Sequence, residues 1–315
     1  PIKSSAASDV YKRQVKAYSS KDLYNWKDEG IIIPPEPEDE NSSLHPSAQM
    51  DRPHIIYNKA TKKYVCWLKI MHKDGTQDET VLTADRFLGP YTKVREGLRP
   101  LNMSAGDFDL VVAPDGKAYY MFERVHSETI IADLTDDYTD VTGYYSTHFP
   151  HPYPPYVREA TAHFMRNGKH YLITSGTTGY LPNPSEVAVA DTWHGPYTVL
   201  GNPHPGDETD TSYHSQISSV FKVPGKKDLY IACADRWLPN AMDKDYHVYK
   251  KMFEAIFIGK KEEFDFSSMG EPVVEETRIA DYVWLPLRFV EPCEEYPNGM
   301  VFVDWKDEWR IEDYE

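Results

Sequence analysis

The sequence has few cysteines and no long apolar segment. The three cysteines, Cys66, Cys233 and Cys293, are too few for a disulfide framework in 315 residues, and their spacing is not that of a zinc site. Cys66 and Cys233 lie within apolar, strand-like runs, which predicts buried free thiols. No apolar run approaches the roughly 20 residues that a membrane-spanning helix needs. We therefore predict a globular protein that has no membrane partner.

Positive charge is scarce as well. The chain has 34 Lys and Arg against 50 Asp and Glu, a formal net charge of -16. Because phosphate binding requires clustered Lys and Arg, this balance argues against nucleic acid and favours a neutral or cationic partner. No HExxH, P-loop, GxSxG or nucleotide-binding motif is present. His148 and His151 lie in the Pro-rich segment His148–Tyr156, which indicates a loop rather than a metal site.

The first 14 residues differ in character from the rest. PIKSSAASDVYKRQ has no apolar periodicity and no apolar core of a signal peptide. We interpret residues 1–14 as a non-native extension joined to a native sequence that begins near Val15. The compartment is therefore not encoded in this segment, and a secreted or periplasmic bacterial protein is favoured over a cytoplasmic one.

Four segments share one pattern, in which a short strand and a tight turn precede an apolar strand that carries a Tyr. They are RPHIIYNKATKKYVCWLKI, FDLVVAPDGKAYYMFE, TAHFMRNGKHYLITS and SSVFKVPGKKDLYIACA. The turns Asp115-Gly116 and Asn167-Gly168 are strong hairpin signals. The shared tyrosines, Tyr64, Tyr119, Tyr171 and Tyr230, are 52 to 59 residues apart. This period predicts a radial array of similar β-sheets.

A second element recurs after these hairpins. It predicts third strands at Val81–Asp85, Thr129–Asp133, Val187–Asp191 and Ala255–Gly259, and Val15–Trp26 has the same character. Four hairpins and five such tails indicate five blades. The fifth hairpin either comes from Val283–Phe289 with Met300–Trp305 or has been lost upstream of Val15. No helical pattern is evident, so we predict an all-β, five-bladed β-propeller that forms one monomeric domain over residues 15–315.

A polar residue stands just before the first strand of each hairpin. Asp51, Asp107, Glu159 and Gln216 precede the shared Tyr by 12 to 14 residues. Equivalent positions in successive blades are expected to converge on one axial pocket. Crowded carboxyls raise one another's pKa, and glycosidic cleavage needs a carboxyl that stays protonated near neutral pH. The alternative is that these are surface turn residues, which is our interpretation of Asp109, Asp115 and Asp133.

The motifs MDRPHIIYNKATKKYVCW, DLVVAPDGKAYYMFE, VREATAHFMRNGKHYLITSGTTGY, SQISSVF, ADRW and YVWLPL together resemble glycoside hydrolase family 43, nearest to its exo-β-1,3-galactanase-like branch. The resemblance implies a five-bladed propeller that attacks plant side-chain polysaccharides from the chain end with inversion. Glu159 then matches the general acid, and Asp107 matches the carboxylate that tunes the pKa of that acid. Gln216 matches a glutamine at the place of the catalytic base, and Asp51 matches a Glu that contacts the terminal sugar.

The resemblance also implies a set of sugar-binding residues and the absence of a required cofactor. Predicted substrate contacts are Arg52, Thr177, Gly179, His214 and Trp237. No metal is assigned to the site, and a structural calcium ion is left open. The expected partner is an oligosaccharide or polysaccharide, most simply β-1,3-galactan releasing galactose. An α-L-arabinofuranosidase or β-xylosidase, and a carbohydrate-binding propeller without catalysis, are the alternatives.

Two departures from the branch affect the predicted pocket. Asp51 is one methylene shorter than the usual Glu, and Ala105-Gly106-Asp107 replaces Ser-Arg-Asp, which removes an Arg. In the wider family the base is an Asp of the first blade, where this chain lacks a hairpin. The base is therefore open between Asp51 and Gln216.

Overall fold

Antiparallel β-sheet is the main regular structure of the described residues. The computed structural model describes residues 2–5, 14–270, 273 and 277–315. They divide into two compact units. The first unit contains Pro1–Val125, Ile130–Ser146 and Arg310–Asp313, and the second contains His126–Thr129, Thr147–Trp309 and Tyr314–Glu315.

The first unit holds a three-stranded sheet and two four-stranded sheets. The three-stranded sheet consists of β1 (Ile2–Ser5), β2 (Val15–Ser20) and β3 (Trp26–Ile33). The next sheet consists of β4 (Gln49–Asn58), β5 (Lys63–Met71), β6 (Gln77–Ala84) and β7 (Thr92–Leu98). The third consists of β8 (Ala105–Val112), β9 (Ala118–Arg124), β10 (Glu128–Leu134) and β11 (Val141–His148).

The second unit holds two four-stranded sheets and a helix. One sheet consists of β12 (Arg158–Arg166), β13 (Lys169–Gly176), β14 (Glu186–Ala190) and β15 (Thr198–Gly201). The other consists of β16 (Gln216–Lys222), β17 (Tyr230–Arg236), β18 (Asp281–Val290) and β19 (Met300–Val303). The helix, α1 (Tyr246–Phe257), lies in the long connection between β17 and β18.

Each four-stranded sheet is a meander that begins with one of the predicted hairpins, so the all-β class and the four hairpins are confirmed. Asn167 and Gly168 both have positive φ, as a two-residue type I′ turn requires. The blade count differs from five, because the described residues form four four-stranded sheets and one sheet of three strands. The predicted extension, residues 1–14, lies largely outside the described residues, although Ile2–Ser5 pair with β2.

Three predictions about the last part of the chain are wrong. Ala255–Gly259, predicted as a third strand, falls on the last turn of α1 and the residues after it, and the absence of helix was an error as well. Asp245 caps this helix by accepting a hydrogen bond from the N–H of His247, while Tyr246 and Tyr249 are buried three residues apart. Val283–Phe289 and Met300–Trp305 do not start a separate blade, because β18 and β19 complete the sheet begun by β16.

Burial explains why these strands pack as they do. In the first unit, Trp67, Phe108 and Tyr120 are at most 1% exposed and form the centre of an apolar cluster between two sheets. The indole N–H of Trp67 donates to the carbonyl of Tyr138 at 2.9 Å, so its polar atom is satisfied in the interior. A second cluster around Phe164 and Ile173 fills the second unit. Large aromatic side chains contribute most of the apolar area buried in such cores.

The first strand of every four-stranded sheet is irregular at the predicted polar residue or, in β16, one residue after it. The register breaks lie between Asp51 and His54, Ala105 and Phe108, Glu159 and Ala162, and Ile217 and Ser219. Arg52 and Ala160 have φ values of 53° and 50°, the left-handed conformation that such bulges use. A bulge re-aims the adjacent side chain, so each candidate site residue stands at or next to a bend in its strand.

Candidate functional site

Asp107 is held by two cations in the first unit. Lys69 Nζ donates to Asp107 Oδ1 at 2.5 Å, and Arg52 Nη2 donates to Asp107 Oδ2 at 2.6 Å. Lys69 Nζ also lies 3.8 Å from Asp51 Oδ2. We call Asp51, Arg52, Lys69 and Asp107 the Asp107 cluster. The ammonium group of Lys69 therefore lies between the carboxylates of Asp51 and Asp107, two predicted site residues.

The cations determine the charge of Asp107. Burial alone would raise the pKa of its carboxyl, but the positive charges of Arg52 and Lys69 outweigh burial and lower it to about 2. The pKa of Lys69 is raised. Burial lowers it, but the negative charges of Asp107 and Asp51 raise it by more than burial lowers it. Asp107 is therefore a fixed negative charge at neutral pH.

A buried carboxyl, that of Glu79, lies near this cluster. Glu79 is completely buried on β6 and accepts a hydrogen bond from the hydroxyl of Tyr120 at 2.8 Å. Burial raises the pKa of Glu79 well above its usual value, despite the hydrogen bond and the charge of Lys69. The raised pKa favours the protonated, uncharged form of Glu79.

Gly106 lies against the side chain of Glu123. A Cβ at this position would lie 2.1 Å from Oε2 of Glu123, so a side chain there would require Glu123 to move. Arg52 supplies a guanidinium in the same cluster and is paired with Asp107. The predicted role of Arg52 as a sugar contact stays a prediction beside this observed ion pair.

Glu159 stands at the start of β12 in the second unit and is contacted by an amide. Gln216 Nε2 donates to Glu159 Oε1 at 3.3 Å and to Ser175 Oγ at 2.9 Å, while the indole N–H of Trp237 donates to Gln216 Oε1 at 3.3 Å. We call these four residues the Glu159 cluster. Pairing of Glu159 with Ser175 across β12 and β13 places both at the same end of the sheet.

A pocket adjoins the Glu159 cluster. Residues that line it include Ser175, Gly179, Tyr180, His214, Gln216 and Trp237. The rings of Tyr180 and Trp237 lie 5.8 Å apart at 60°, which gives the pocket an angled aromatic wall. Such a wall with amide and hydroxyl groups beside it suits a sugar ring, whose faces are apolar and whose edge carries hydroxyls.

The predicted substrate contacts of this unit occupy different places in the pocket. Gly179 has a φ of 61° in its wall, and Trp237 reaches Gln216. Burial lowers the pKa of His214, so its ring is neutral at physiological pH and can donate and accept. Thr177 is buried and donates to the carbonyl of Val157 at 3.0 Å, so it supports the loop.

Sequence reasoning missed Lys69 and Asp235. Lys69 is a charged residue within the apolar run KYVCWLKI of a buried strand, a signal that could have been noticed. Asp235 lies in the ADRW motif and lines the pocket with Gln216. Of the described residues that line this pocket, Asp235 alone carries a carboxylate. Of the residues predicted for the site, Asp51, Arg52 and Asp107 lie together in the Asp107 cluster of the first unit.

Other features of the described chain carry no chemistry of this kind. His148 packs against Phe149 and Tyr197, and burial lowers its pKa to about 4. Within the described residues no group of three or more His, Cys, Asp and Glu side chains is placed to hold a metal ion. Among the helices of the described ranges, none is long and apolar enough to cross a membrane. Cys66 and Cys233 are buried free thiols, as predicted, while Cys293 is exposed.

Solved structures share this fold. Two β-1,3-galactosidases of family GH43 superpose with a TM-score of 0.73 each, at 26% and 27% sequence identity. The alignments cover 96% and 94% of this chain but 56% and 87% of those proteins, so the chain spans little more than half of the first. The second was solved with galactodeoxynojirimycin.

A more distant structure has the same architecture. An exo-β-1,3-galactanase from Phanerochaete chrysosporium, solved with galactose, superposes with a TM-score of 0.67 at 22% identity, over 87% of this chain and 54% of that one. Comparison with curated proteins finds no match. The sequence profile of glycosyl hydrolases family 43 matches residues 4–249, which is most of the chain. The chain therefore belongs to glycosyl hydrolases family 43, a family of β-propeller glycoside hydrolases.

Proposed function

We propose that this chain is an inverting exo-glycoside hydrolase that releases galactose from β-1,3-galactan without a cofactor. The observation that carries the proposal is the Glu159 cluster, in which a carboxyl is contacted by an amide beside a pocket with an aromatic wall. The names of the similar structures, β-1,3-galactosidases and an exo-β-1,3-galactanase, support the choice of sugar.

Glu159 is the proposed general acid. It donates its proton to the glycosidic oxygen as the bond to the anomeric carbon breaks. Gln216 holds Glu159 through its amide N–H, and Ser175 and Trp237 fix the amide in turn. Asp51 is assigned to a hydroxyl of the terminal sugar. The sequence pattern supports the proposal that the three-stranded sheet is a fifth blade. We also propose that the chain is a monomer.

Asp107 is the proposed source of negative charge that keeps the general acid protonated, an assignment that comes from the repeat pattern and family resemblance. Asp107→Asn removes this charge, so the basic limb of the pH profile of kcat/KM should move to lower pH. The profile should be measured on protein whose fold is checked by circular dichroism. A basic limb at the wild-type pH in folded Asp107→Asn would contradict the assignment.

The substrate is tested by chromatography of the monosaccharides released from a panel of plant glycans. The proposal expects galactose from β-1,3-galactan, with the α-anomer of galactose appearing first by NMR because inversion converts the β-linkage. Release of arabinose or xylose instead would identify the alternative activities of the family. Binding to a glycan without release of any sugar would favour a non-catalytic protein.

A further inference from the structure

Three consecutive residues of the second unit, Ser212, Tyr213 and His214, have the left-handed backbone conformation. Their φ values are 54°, 57° and 55°. A residue other than glycine pays free energy for this conformation, so three in succession persist only where the surrounding structure holds them. We call residues 212–214 the left-handed turn. Backbone strain of this kind collects at functional sites, and the left-handed turn ends two residues before Gln216.

One carboxylate, that of Asp207, holds the backbone N–H groups of this segment. Its Oδ2 accepts from the N–H groups of Thr211 and Tyr213 at 2.9 Å and 3.0 Å. Its Oδ1 accepts from the hydroxyl of Thr209 at 2.7 Å, which makes that hydroxyl the acceptor in its 2.7 Å contact with Thr211. Thr211 Oγ1 then accepts from the N–H of His214 at 3.1 Å. Asp207 therefore reaches the backbone of His214 through two hydroxyl groups.

Opposite charges hold the two sides of the left-handed turn. Burial raises the pKa of Asp207, but the hydrogen bonds that its carboxylate accepts lower the pKa by more, which favours the ionised form. Arg236 Nη2 donates to the carbonyl of Tyr213 at 2.8 Å, and Arg236 Nε donates to the carbonyl of His214 at 3.3 Å. The N–H groups thus meet an anion, and the carbonyls meet a cation.

The ring of His214 depends on this backbone for its place in the pocket. His214 lines the pocket beside the Glu159 cluster. Among the described residues, Nδ1 of the His214 ring is buried and has no hydrogen-bond partner. The hydrogen bonds that hold the residue are made by its backbone N–H and carbonyl. A change of φ at His214 therefore moves the ring, because no hydrogen bond at Nδ1 opposes the movement.

We propose that Asp207 is a positioning residue for substrate binding, a role that rests on the proposed glycosidase function. Its carboxylate keeps the left-handed turn that holds the His214 ring in the pocket. Molecules in which the turn relaxes bind the terminal sugar less well, so the apparent affinity falls with the fraction of molecules that keep the turn. Once the sugar is bound the turn is formed, and Glu159 transfers its proton as before. Asp207 therefore acts on KM and leaves kcat nearly unchanged.

The test is Asp207→Asn, assayed on the glycan that the wild type cleaves. The amide of Asn accepts at one end only, so the hydrogen bonds of one oxygen are lost. We expect KM to rise about tenfold, the factor that a hydrogen bond to a charged group contributes, while kcat stays within about twofold. Glu208→Gln is the matched control, because Glu208 is the next residue, is exposed and carries the same charge. It should keep the wild-type KM.

A double-mutant cycle with His214→Ala tests whether Asp207 acts through the His214 ring. His214→Ala should raise KM as well. The double variant should have the KM of His214→Ala alone, because a ring that has been removed cannot be misplaced. Effects on KM that multiply, an unchanged KM in Asp207→Asn, or a fall in kcat at constant KM, which a loss of folded protein produces, would each overturn the role.

Calorimetric titration with galactose separates this role from the proposed function. Asp207→Asn should weaken galactose binding by the same factor of about ten. A wild type that binds galactose but cleaves no glycan would refute the proposed function, and the Kd of the variants would then decide the role of Asp207. A wild type that cleaves the glycan, with a KM that Asp207→Asn does not change, would refute the positioning role alone. Neither binding nor cleavage by the wild type would overturn both.

Discussion

The two units hold their site carboxylates in opposite environments. In the first unit Asp107 is 8% exposed and receives a hydrogen bond from Lys69 on one oxygen and from Arg52 on the other. In the second unit the hydrogen bond to Glu159 comes from the uncharged amide of Gln216, which also reaches a hydroxyl. Two cations donate to Asp107, whereas an amide donates to Glu159.

This difference assigns different work to the two carboxyls. A carboxylate between two cations stays ionised, because protonation would leave buried positive charges without a partner. A carboxyl contacted by an amide can carry a proton and give it up during a reaction, since an amide N–H stabilises the ionised form less than a cation does. The neighbours of a carboxyl, more than its own chemistry, determine whether it stays ionised or can carry a proton.

The largest expected effect comes from replacing Glu159, the proposed general acid. Glu159→Gln keeps the size of the side chain, and kcat on natural glycans should fall at least about 100-fold. An aryl glycoside with a good leaving group needs less protonation and should be partly spared. Kinetics on both substrates measure this. Equal loss on the two would remove Glu159 from the role of acid.

The next largest effect, a loss of stability, is expected from replacing Asp107, the carboxylate that accepts from two cations. Asp107→Asn leaves Lys69 and Arg52 buried without their common partner, so the free energy of unfolding should fall by about 3–5 kcal/mol. Urea denaturation measures the change. Asp85→Asn is the control in the same unit, because Asp85 is exposed where it pairs with Lys63, and such surface pairs contribute about 0–1 kcal/mol. Equal losses in the two variants would contradict the comparison.

The pH dependence of stability sharpens the same point. The pKa of Asp107 is lowered to about 2 in the folded chain, below the usual value of about 3.9 in the unfolded chain. Its contribution is therefore complete above about pH 4 and is lost as pH falls through 2, amounting to about 2–3 kcal/mol. The decline in unfolding free energy between pH 4 and 2 should be shallower in Asp107→Asn than in wild type. Parallel curves would show that Asp107 titrates normally.

A smaller effect, on the pH profile of activity, should follow from adding a carboxyl beside Glu159. Gln216→Glu puts a carboxyl beside Glu159, and two acids that share a site raise the upper pKa of the pair. The basic limb of kcat/KM should move up by about one pH unit. Gln216→Met removes the same hydrogen bonds without adding charge, so its limb should stay within a few tenths of the wild-type position. Identical limbs in the two variants would show that the added charge has no effect.

The all-β class and the four hairpins could be predicted because their signals are local. Turns such as Asn167-Gly168 and apolar strands such as the one around Tyr171 are encoded within a few residues, and they repeat along the chain. Helix α1 was missed because its sequence, YHVYKKMFEAIF, has an aromatic and apolar content that also suits a strand. The N-cap of Asp245 and the burial of Tyr246 and Tyr249 stabilise the helix.

By itself the sequence determined the repeat, the four polar residues that open the hairpins, and the family to which the chain belongs. Only the tertiary structure decided which groups contact one another. Lys69 meets Asp107 across 38 residues of sequence, and Gln216 meets Glu159 across 57. Such pairs depend on strand register and on how neighbouring sheets pack, and neither leaves a periodic trace in the chain. For the same reason Asp235 was an ordinary residue of ADRW until β17 placed it opposite Gln216.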